Sequence, residues 1–189
     1  MSPLCVALAC LTVAFAIGCI VLRRKNRAFE GMLCKFMASF GFISVAVVGY
    51  SLNPVDTYYF CIVCFALLFG FCGDVLLGIK EIAPTFRGRL VPLGLLYFLV
   101  GHVFYLCAFI SMSSFSVVAL IVGIVFGIAG FILIKVMKMK ADGKMAVIMA
   151  VYYAVLAFKA ASALNLALTG DQAAFWSAFA GAVLFIISD

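Results

Sequence analysis

Four ionisable side chains that could do chemistry together lie inside long apolar stretches of this 189-residue chain. Asp74 interrupts the apolar segment at residues 71–78. The others are Lys35, His102 and Asp189. A charged side chain within a membrane segment costs on the order of 2.5–3.5 kcal/mol on insertion scales, so each one indicates a functional site. Carboxylates and an imidazole can transfer protons and an ammonium can bind an anion, so these residue types could serve either acid–base catalysis or a proton relay.

The elements that must position these residues are membrane helices. The chain is 68% hydrophobic and 11% charged, with a mean hydropathy of +1.33, whereas a soluble domain carries roughly 25% charged residues. A spanning helix needs about 20 apolar residues. The sequence therefore predicts an all-α membrane protein, a single transmembrane domain over residues 1–189 with seven helices in a compact bundle. The predicted helices cover residues 3–22, 31–52, 58–79, 90–111, 115–135, 145–168 and 173 onward.

Basic residues set the predicted orientation. The first, third and fifth loops hold four, three and four of the 13 basic residues, and the other loops hold none. By the positive-inside rule the odd loops are cytoplasmic and the N-terminus is extracytoplasmic. The cluster at residues 23–27 follows the first apolar run, unlike the positive region of a cleaved signal peptide, so the first helix is retained. Clusters of this kind orient a membrane protein, and no nucleic-acid partner is expected.

Depth along the helices predicts a common site. Asp74 and Asp189 each lie 16 residues into an inward-running helix, roughly 24 Å down at about 1.5 Å per residue. Lys35 is about one turn from the cytoplasmic face, near the same level, and His102 is nearer the midplane. Polar groups in a bundle face its interior or a water-filled cavity, so we expect a pocket open toward the cytoplasmic leaflet.

Each of these residues also has a plainer interpretation. Lys35 can extend its ammonium to the hydrated interface. His102 can be a neutral hydrogen-bonded core residue, and Asp74 can form a structural ion pair with Lys35. These alternatives stay open from sequence alone.

Other polar residues and glycines receive weaker assignments. Lys159 belongs to no motif and has no assigned role. Tyr152 and Tyr153 are predicted to pack, or one of them to face the pocket. Gly73 indicates close helix approach or a neighbouring ligand, since glycine costs about 1 kcal/mol in a helix relative to alanine. The Gly-x-x-x-Gly spacing at residues 123–127 indicates helix packing.

The eight cysteines fall within apolar runs, where a thiol behaves as a small hydrophobic group. Cys61 and Cys64 lack the second pair or nearby histidines of a zinc site. We therefore predict no metal, no cofactor and no disulfide framework. A helix ending at Asp189 would leave its terminal carboxylate below the membrane surface, so we expect that the natural chain continues beyond it.

Three segments together resemble one family. Residues 71–77 resemble the GD-x-x-L element of the YhhN family of membrane proteins, the lysoplasmalogenases. Residues 94–105 look like its GL-x-F-x-x-x-H-x-x-Y element, and residues 181–189 are similar to its GA-x-x-F-x-x-SD element. Lys35 falls where the family has a lysine, although Phe36 replaces the proline that usually follows it. The resemblance implies eight helices, one more than this sequence holds.

The resemblance also implies an activity, the hydrolysis of the vinyl ether bond of a lysoplasmalogen to a fatty aldehyde and a glycerophospho-head group. Such a bond hydrolyses by protonation of its β-carbon to an oxocarbenium ion, followed by water addition and collapse of the hemiacetal. This course is close to the hydrolysis of glycosides by a pair of carboxylates. Two level carboxylates repel, which keeps one protonated as general acid while the other stabilises the cation or activates water.

The predicted partners are a lysophospholipid substrate and the lipid bilayer. The predicted catalytic residues are Asp74, Asp189 and His102, and the predicted substrate contacts are Lys35, Tyr105 and Tyr152. Lys35 would hold the phosphate or tune a carboxylate. The competing function is a non-enzymatic lipid or proton carrier using Asp74, His102 and Asp189 as a relay, and a third is a structural membrane scaffold.

Overall fold

The computed structural model describes residues 2–54, 56–136, 143–170 and 173–188, the last without the Ser188 side chain. These ranges hold seven α-helices joined by short connections, with a single 3₁₀ turn at Pro84–Phe86 and no strand. The prediction of an all-α membrane bundle is confirmed. The helices are α1 (Pro3–Arg24), α2 (Ala28–Leu52), α3 (Thr57–Ile82), α4 (Arg87–Met112), α5 (Val117–Val136), α6 (Gly143–Thr169) and α7 (Ala173–Ser188).

Local sequence signals explain where the helices begin and end. The Ser2 hydroxyl accepts a hydrogen bond from the Cys5 amide at 3.3 Å, and Pro3 occupies the first turn of α1, where its missing N–H costs nothing. Asp56 caps α3 by accepting from the amide of Tyr58 at 2.8 Å. Since Pro54 disfavours helical conformation in the residue before it, α2 ends at Leu52.

Six helices, α1 to α6, are long and apolar enough to cross a bilayer. The seventh, α7, is apolar but has 16 residues in the described part of the chain. The architecture agrees with a multi-pass membrane protein. The side of the membrane on which each terminus and loop lies stays a prediction from the basic residues.

The chain divides into two compact units, Met1–Gly101 and His102–Asp189, which we call unit 1 and unit 2. The boundary falls within α4. Unit 1 holds α1, α2, α3 and the first part of α4, and unit 2 holds the rest of α4 with α5, α6 and α7. The single domain proposed for the whole chain stays a prediction, and each unit is described by itself.

In unit 1, α2 packs between α1 and α3. An ion pair of 3.1 Å between Arg23 and Glu81 joins the C-terminal ends of α1 and α3. These two ends therefore lie at the same end of unit 1, as the alternating topology requires for the first and third loops.

In unit 2, α6 packs against both α5 and α7 and supplies most of the buried side chains. A Cβ atom at Gly123 would lie 2.8 Å from the carbonyl oxygen of Ala154, and one at Gly127 would lie 2.7 Å from the Ala154 Cβ. The predicted packing role of the two glycines agrees with this contact, because a larger residue at either position would push α5 away from α6.

Candidate functional site

A polar cluster in unit 1, the Asp74 cluster, joins α2 to α3. It consists of Lys35, Ser39 and Asp74. The Lys35 ammonium lies 2.7 Å from Asp74 Oδ1, and the Ser39 hydroxyl donates to Asp74 Oδ2 at 2.5 Å. Lys35 and Ser39 are four residues apart and so share one face of α2. Each carboxylate oxygen of Asp74 therefore faces a donor from the neighbouring helix.

Two glycines let the neighbouring helices approach Asp74. A Cβ atom at Gly73 would lie 2.8 Å from the ring of Phe98 on α4, and one at Gly78 would lie 2.8 Å from Cγ of Met32 on α2. Gly78 is one turn from Asp74 and on the same face of α3. Close approach at Gly73 was one of the two meanings predicted for that residue. Small residues at these positions bring the α2 donors within reach of the carboxylate.

Phe36, which stands where the resemblance led us to expect proline, packs on the same interface. Its ring lies 3.0 Å from the Cβ position of Gly78, and its centroid is 6.5 Å from that of Phe71. The aromatic ring therefore fills space between α2 and α3 beside Gly78.

The Asp74 cluster is only partly enclosed. The side chains of Lys35 and Asp74 keep 25% and 21% of their exposure, whereas Ser39 is buried. The low-dielectric surroundings strengthen the attraction between ammonium and carboxylate relative to water. About a fifth of the Asp74 side chain therefore lies at the surface of the protein.

A second polar cluster, the His102 cluster, lies inside unit 2. It joins His102 of α4 to Tyr152 and Lys159 of α6. His102 Nε2 lies 3.3 Å from the Tyr152 hydroxyl, and His102 Nδ1 lies 3.2 Å from the Lys159 ammonium. The three residues are 2%, 4% and 4% exposed. Tyr152 and Lys159 are seven residues apart, about two helical turns, so both point from α6 toward the same imidazole.

Aromatic rings surround this cluster. The Phe185 ring of α7 meets His102 edge-on at 4.7 Å between centroids, and the Lys159 ammonium lies 4.8 Å from the centre of the same ring. The ammonium is also 5.8 Å from the ring centre of Tyr105. Ring faces attract a cation, and the attraction is stronger where water is excluded. The two rings therefore offset part of the cost of burying the Lys159 ammonium.

The structure distinguishes the two adjacent tyrosines. Tyr152 bonds to His102, whereas the ring of Tyr153 packs against α5, 3.3 Å from the Cβ position of Gly130. The tyrosine that faces polar groups is therefore Tyr152.

The predicted site residues fall in three places. Lys35 and Asp74 meet in unit 1, and His102, Tyr105 and Tyr152 lie together in unit 2. Asp189 lies outside the described residues. The convergence of carboxylates, lysine and histidine in one pocket, and the catalytic and binding roles assigned to them, stay predictions.

Sequence reasoning missed two members of the clusters. Ser39 carried a usable signal, its four-residue spacing from Lys35. Lys159 had a weaker signal, its seven-residue spacing from Tyr152.

In the described ranges, His, Cys, Asp and Glu side chains form no group of three or more able to hold a metal ion.

Comparison with known proteins gives one decisive match. The family model of the YhhN family matches residues 32–189, which is most of the chain and includes every member of both clusters. The chain belongs to the YhhN family. The resemblance noted from the three sequence segments is thereby confirmed. Comparisons with curated proteins and with solved structures find no match.

Proposed function

We propose that this YhhN-family membrane protein is a hydrolase that cleaves the vinyl ether bond of lysoplasmalogens. The products are a fatty aldehyde and a glycerophospho-head group. The observation that carries the proposal is the Asp74 cluster, a partly accessible carboxylate held within a membrane-spanning helix by an ammonium and a hydroxyl. Because ionisable groups at such positions are costly, they are retained chiefly for function.

The contacts of Asp74 suit it to one of the two carboxylate roles. Both of its oxygens accept, one from Lys35 and one from Ser39. A carboxyl group with an ammonium and a hydroxyl as donors is best satisfied as the anion. Asp74 is therefore assigned as the ionised carboxylate that stabilises the oxocarbenium ion or activates water.

The reaction then needs a separate proton donor. The sequence predicted Asp189 as the second carboxylate of the pair without deciding which of the two is the acid; with Asp74 taken as the ionised member, we assign the proton donor to Asp189. A proton is added to the β-carbon of the vinyl ether and the positive charge moves to the carbon bonded to oxygen. Water adds to that carbon and loses a proton. The hemiacetal then breaks its carbon–oxygen bond to the glycerol, which leaves as an alcohol. One water molecule is consumed for each aldehyde released, as in glycoside hydrolysis by paired carboxylates.

Lys35 had two predicted roles, phosphate binding and tuning of a carboxylate. Its 2.7 Å contact with Asp74 supports the second. An ammonium engaged by a carboxylate at this distance would have to leave it in order to bind a phosphate, so Lys35 is assigned to hold Asp74 ionised and oriented.

The proposal is tested with purified protein in lipid nanodiscs and three lysophospholipids that differ only at the first glycerol carbon. The 1-alkenyl lipid should release aldehyde, whereas the matched 1-alkyl and 1-acyl lipids should not. In D₂O the aldehyde should carry one deuterium on the carbon next to the carbonyl, because that carbon is protonated during the reaction. Release of free fatty acid from the acyl lipid alone, or aldehyde without deuterium, would reject the vinyl ether mechanism.

Aldehyde release by the unchanged protein separates the enzyme from the carrier, and Asp74→Asn tests the role of the carboxylate. In the hydrolase this variant should express and bind lipid yet release no aldehyde. A lipid or proton carrier gives no aldehyde even in the unchanged protein and instead moves labelled lipid or protons across the vesicle membrane.

A further inference from the structure

A cleft lies between the C-terminal part of α2 and the N-terminal part of α3, within unit 1. Its volume is about 260 Å³, which is below the roughly 300–1,000 Å³ of sites that enclose a whole drug-sized ligand. The cleft therefore suits one slender apolar part of a molecule. Most of its lining is apolar and includes Val45, Ala46 and Gly49 of α2 with Phe60 and Val63 of α3.

An aromatic stack bounds the cleft where α2 ends. The rings of Tyr50 and Phe60, which both line the cleft, lie 3.8 Å apart between centroids and almost parallel, at 6°. The hydroxyls of Tyr50 and Thr57 share a hydrogen bond of 2.7 Å, which ties the end of α2 to the start of α3. These contacts fix both rings, so the stack limits how far an occupant of the cleft can extend.

The cleft lies on the same helix faces as the Asp74 cluster. Val63 and Asp74 are eleven residues apart on α3, which is about three turns. Ser39 and Ala46 are seven residues apart on α2, which is about two turns. Gly70, one turn from Asp74 toward the cleft, has nothing within 4 Å of its Cβ position. The cluster and the cleft are therefore aligned along α2 and α3, with open space beside Gly70.

The separation of the cluster from the cleft matches the length of a lipid chain. At a rise of about 1.5 Å per residue, Ala46 lies about 10 Å along α2 from Ser39, and Tyr50 lies about 16 Å from it. On α3, Phe60 lies about 21 Å from Asp74. One lipid chain spans half of the roughly 30 Å hydrocarbon core, about 15 Å. A chain whose first carbons lie at Asp74 therefore ends within the cleft.

We propose that this cleft binds the methyl end of the aliphatic chain of the lysophospholipid and thereby sets the chain length that the protein accepts. The proposal rests on the proposed function for the position of the reacting bond at Asp74. Because lipid tails are as apolar as the lining, a chain gains little by moving from the bilayer into the cleft. Selection comes from shape, since a chain that is too long meets the stack of Tyr50 and Phe60.

Photo-crosslinking tests the binding without turnover. The two probes are 1-alkyl lysophospholipids, which lack the vinyl ether, with a diazirine either on the last carbon of the chain or on a carbon near the glycerol. In nanodiscs of diacylphosphatidylcholine, the terminal probe should label residues 45–50 and 59–63, and the other probe should label residues near Asp74. Unlabelled 1-alkyl lysophospholipid should reduce both signals, whereas added diacylphosphatidylcholine should not. Labelling of the cleft that the unlabelled lysophospholipid does not reduce would indicate bulk bilayer lipid only and would overturn the proposal.

Filling the cleft tests the selection of chain length. A Cβ atom at Gly49 meets nothing within 4 Å, so Gly49→Phe can place its ring in the cleft without displacing a neighbour. Its kcat/KM should fall by about tenfold for an eighteen-carbon 1-alkenyl lipid, the usual scale of discrimination by a hydrophobic pocket. An eight-carbon lipid, which ends before the cleft, should keep its kcat/KM. Val47→Phe, on the exposed opposite side of α2, is the matched control and should change neither value.

The two experiments fail separately. In Gly49→Phe, a fall that is equal for the long and short lipids, or no fall for the long one, would reject the selection of chain length by the cleft. If the unchanged protein releases no aldehyde, the proposed function fails, and crosslinking still decides whether the cleft holds the end of the chain.

Discussion

The ion pair between Lys35 and Asp74 gives the most informative double-mutant cycle. The single variants are Asp74→Asn, which leaves the Lys35 ammonium without a counter-ion, and Lys35→Met, which leaves the Asp74 carboxylate without one. The double variant removes both charges. The free energy of unfolding is measured for all four proteins in mixed micelles by SDS titration, followed by circular dichroism.

The magnitude follows from distance and exposure. An exposed pair contributes about 0–1 kcal/mol, and breaking a fully buried pair costs about 3–5 kcal/mol. At 2.7 Å, with side chains 25% and 21% exposed, the pair lies between these limits. Each single substitution should therefore cost about 2 kcal/mol. The double variant should be more stable than the sum of the single losses predicts, with a coupling energy of about 1–2 kcal/mol.

The cycle also separates stability from chemistry. If Asp74 is a reacting carboxylate, the double variant recovers stability but releases no aldehyde. A structural ion pair alone would let the double variant keep its turnover as well. A coupling energy below about 0.5 kcal/mol would refute the claim that the two charges interact across the α2–α3 interface, since independent sites add within that range.

Three further predictions concern single contacts. Ser39→Ala should lower the free energy of unfolding by about 1 kcal/mol through loss of its hydrogen bond to Asp74, and reduced stability in the same SDS titration is the check; an unchanged midpoint would contradict the contact. Gly127→Ala should destabilise the protein by about 1–3 kcal/mol, because the new Cβ would lie 2.7 Å from the Ala154 Cβ. The control Gly49→Ala, where a Cβ meets nothing within 4 Å, should be neutral or stabilising by up to about 1 kcal/mol. Equal effects of the two variants on thermal melting would argue against close packing of α5 on α6. Glu81→Gln should cost at most about 1 kcal/mol, and the difference from the unchanged protein should shrink at high salt, because its pair with Arg23 is partly exposed.

Much of the fold follows from the sequence because a membrane-spanning helix can be predicted from the length and apolar composition of one segment. Apolar runs of about 20 residues predict helices, and all seven predicted helices are present with ends that differ by a few residues. The ends were set locally, as where Asp56 caps α3 and Pro54 follows α2. The meeting of Lys35 with Asp74 also followed from depth, because both were placed at one level by the rise per residue.

Depth alone does not give rotation about the helix axis or the choice of neighbouring helix. Tyr152 and Tyr153 are about 100° apart around α6, and only packing decides that the first faces α4 and the second α5. Packing likewise placed Ser39 against Asp74, and Lys159 against His102.

The sequence by itself determined that this protein is a helical membrane protein with costly ionisable groups within its apolar helices. The tertiary structure decided which of those groups share hydrogen bonds. The physical reason is that hydrophobic length acts along one helix, whereas a hydrogen bond depends on how side chains of two helices interlock at distances near 3 Å.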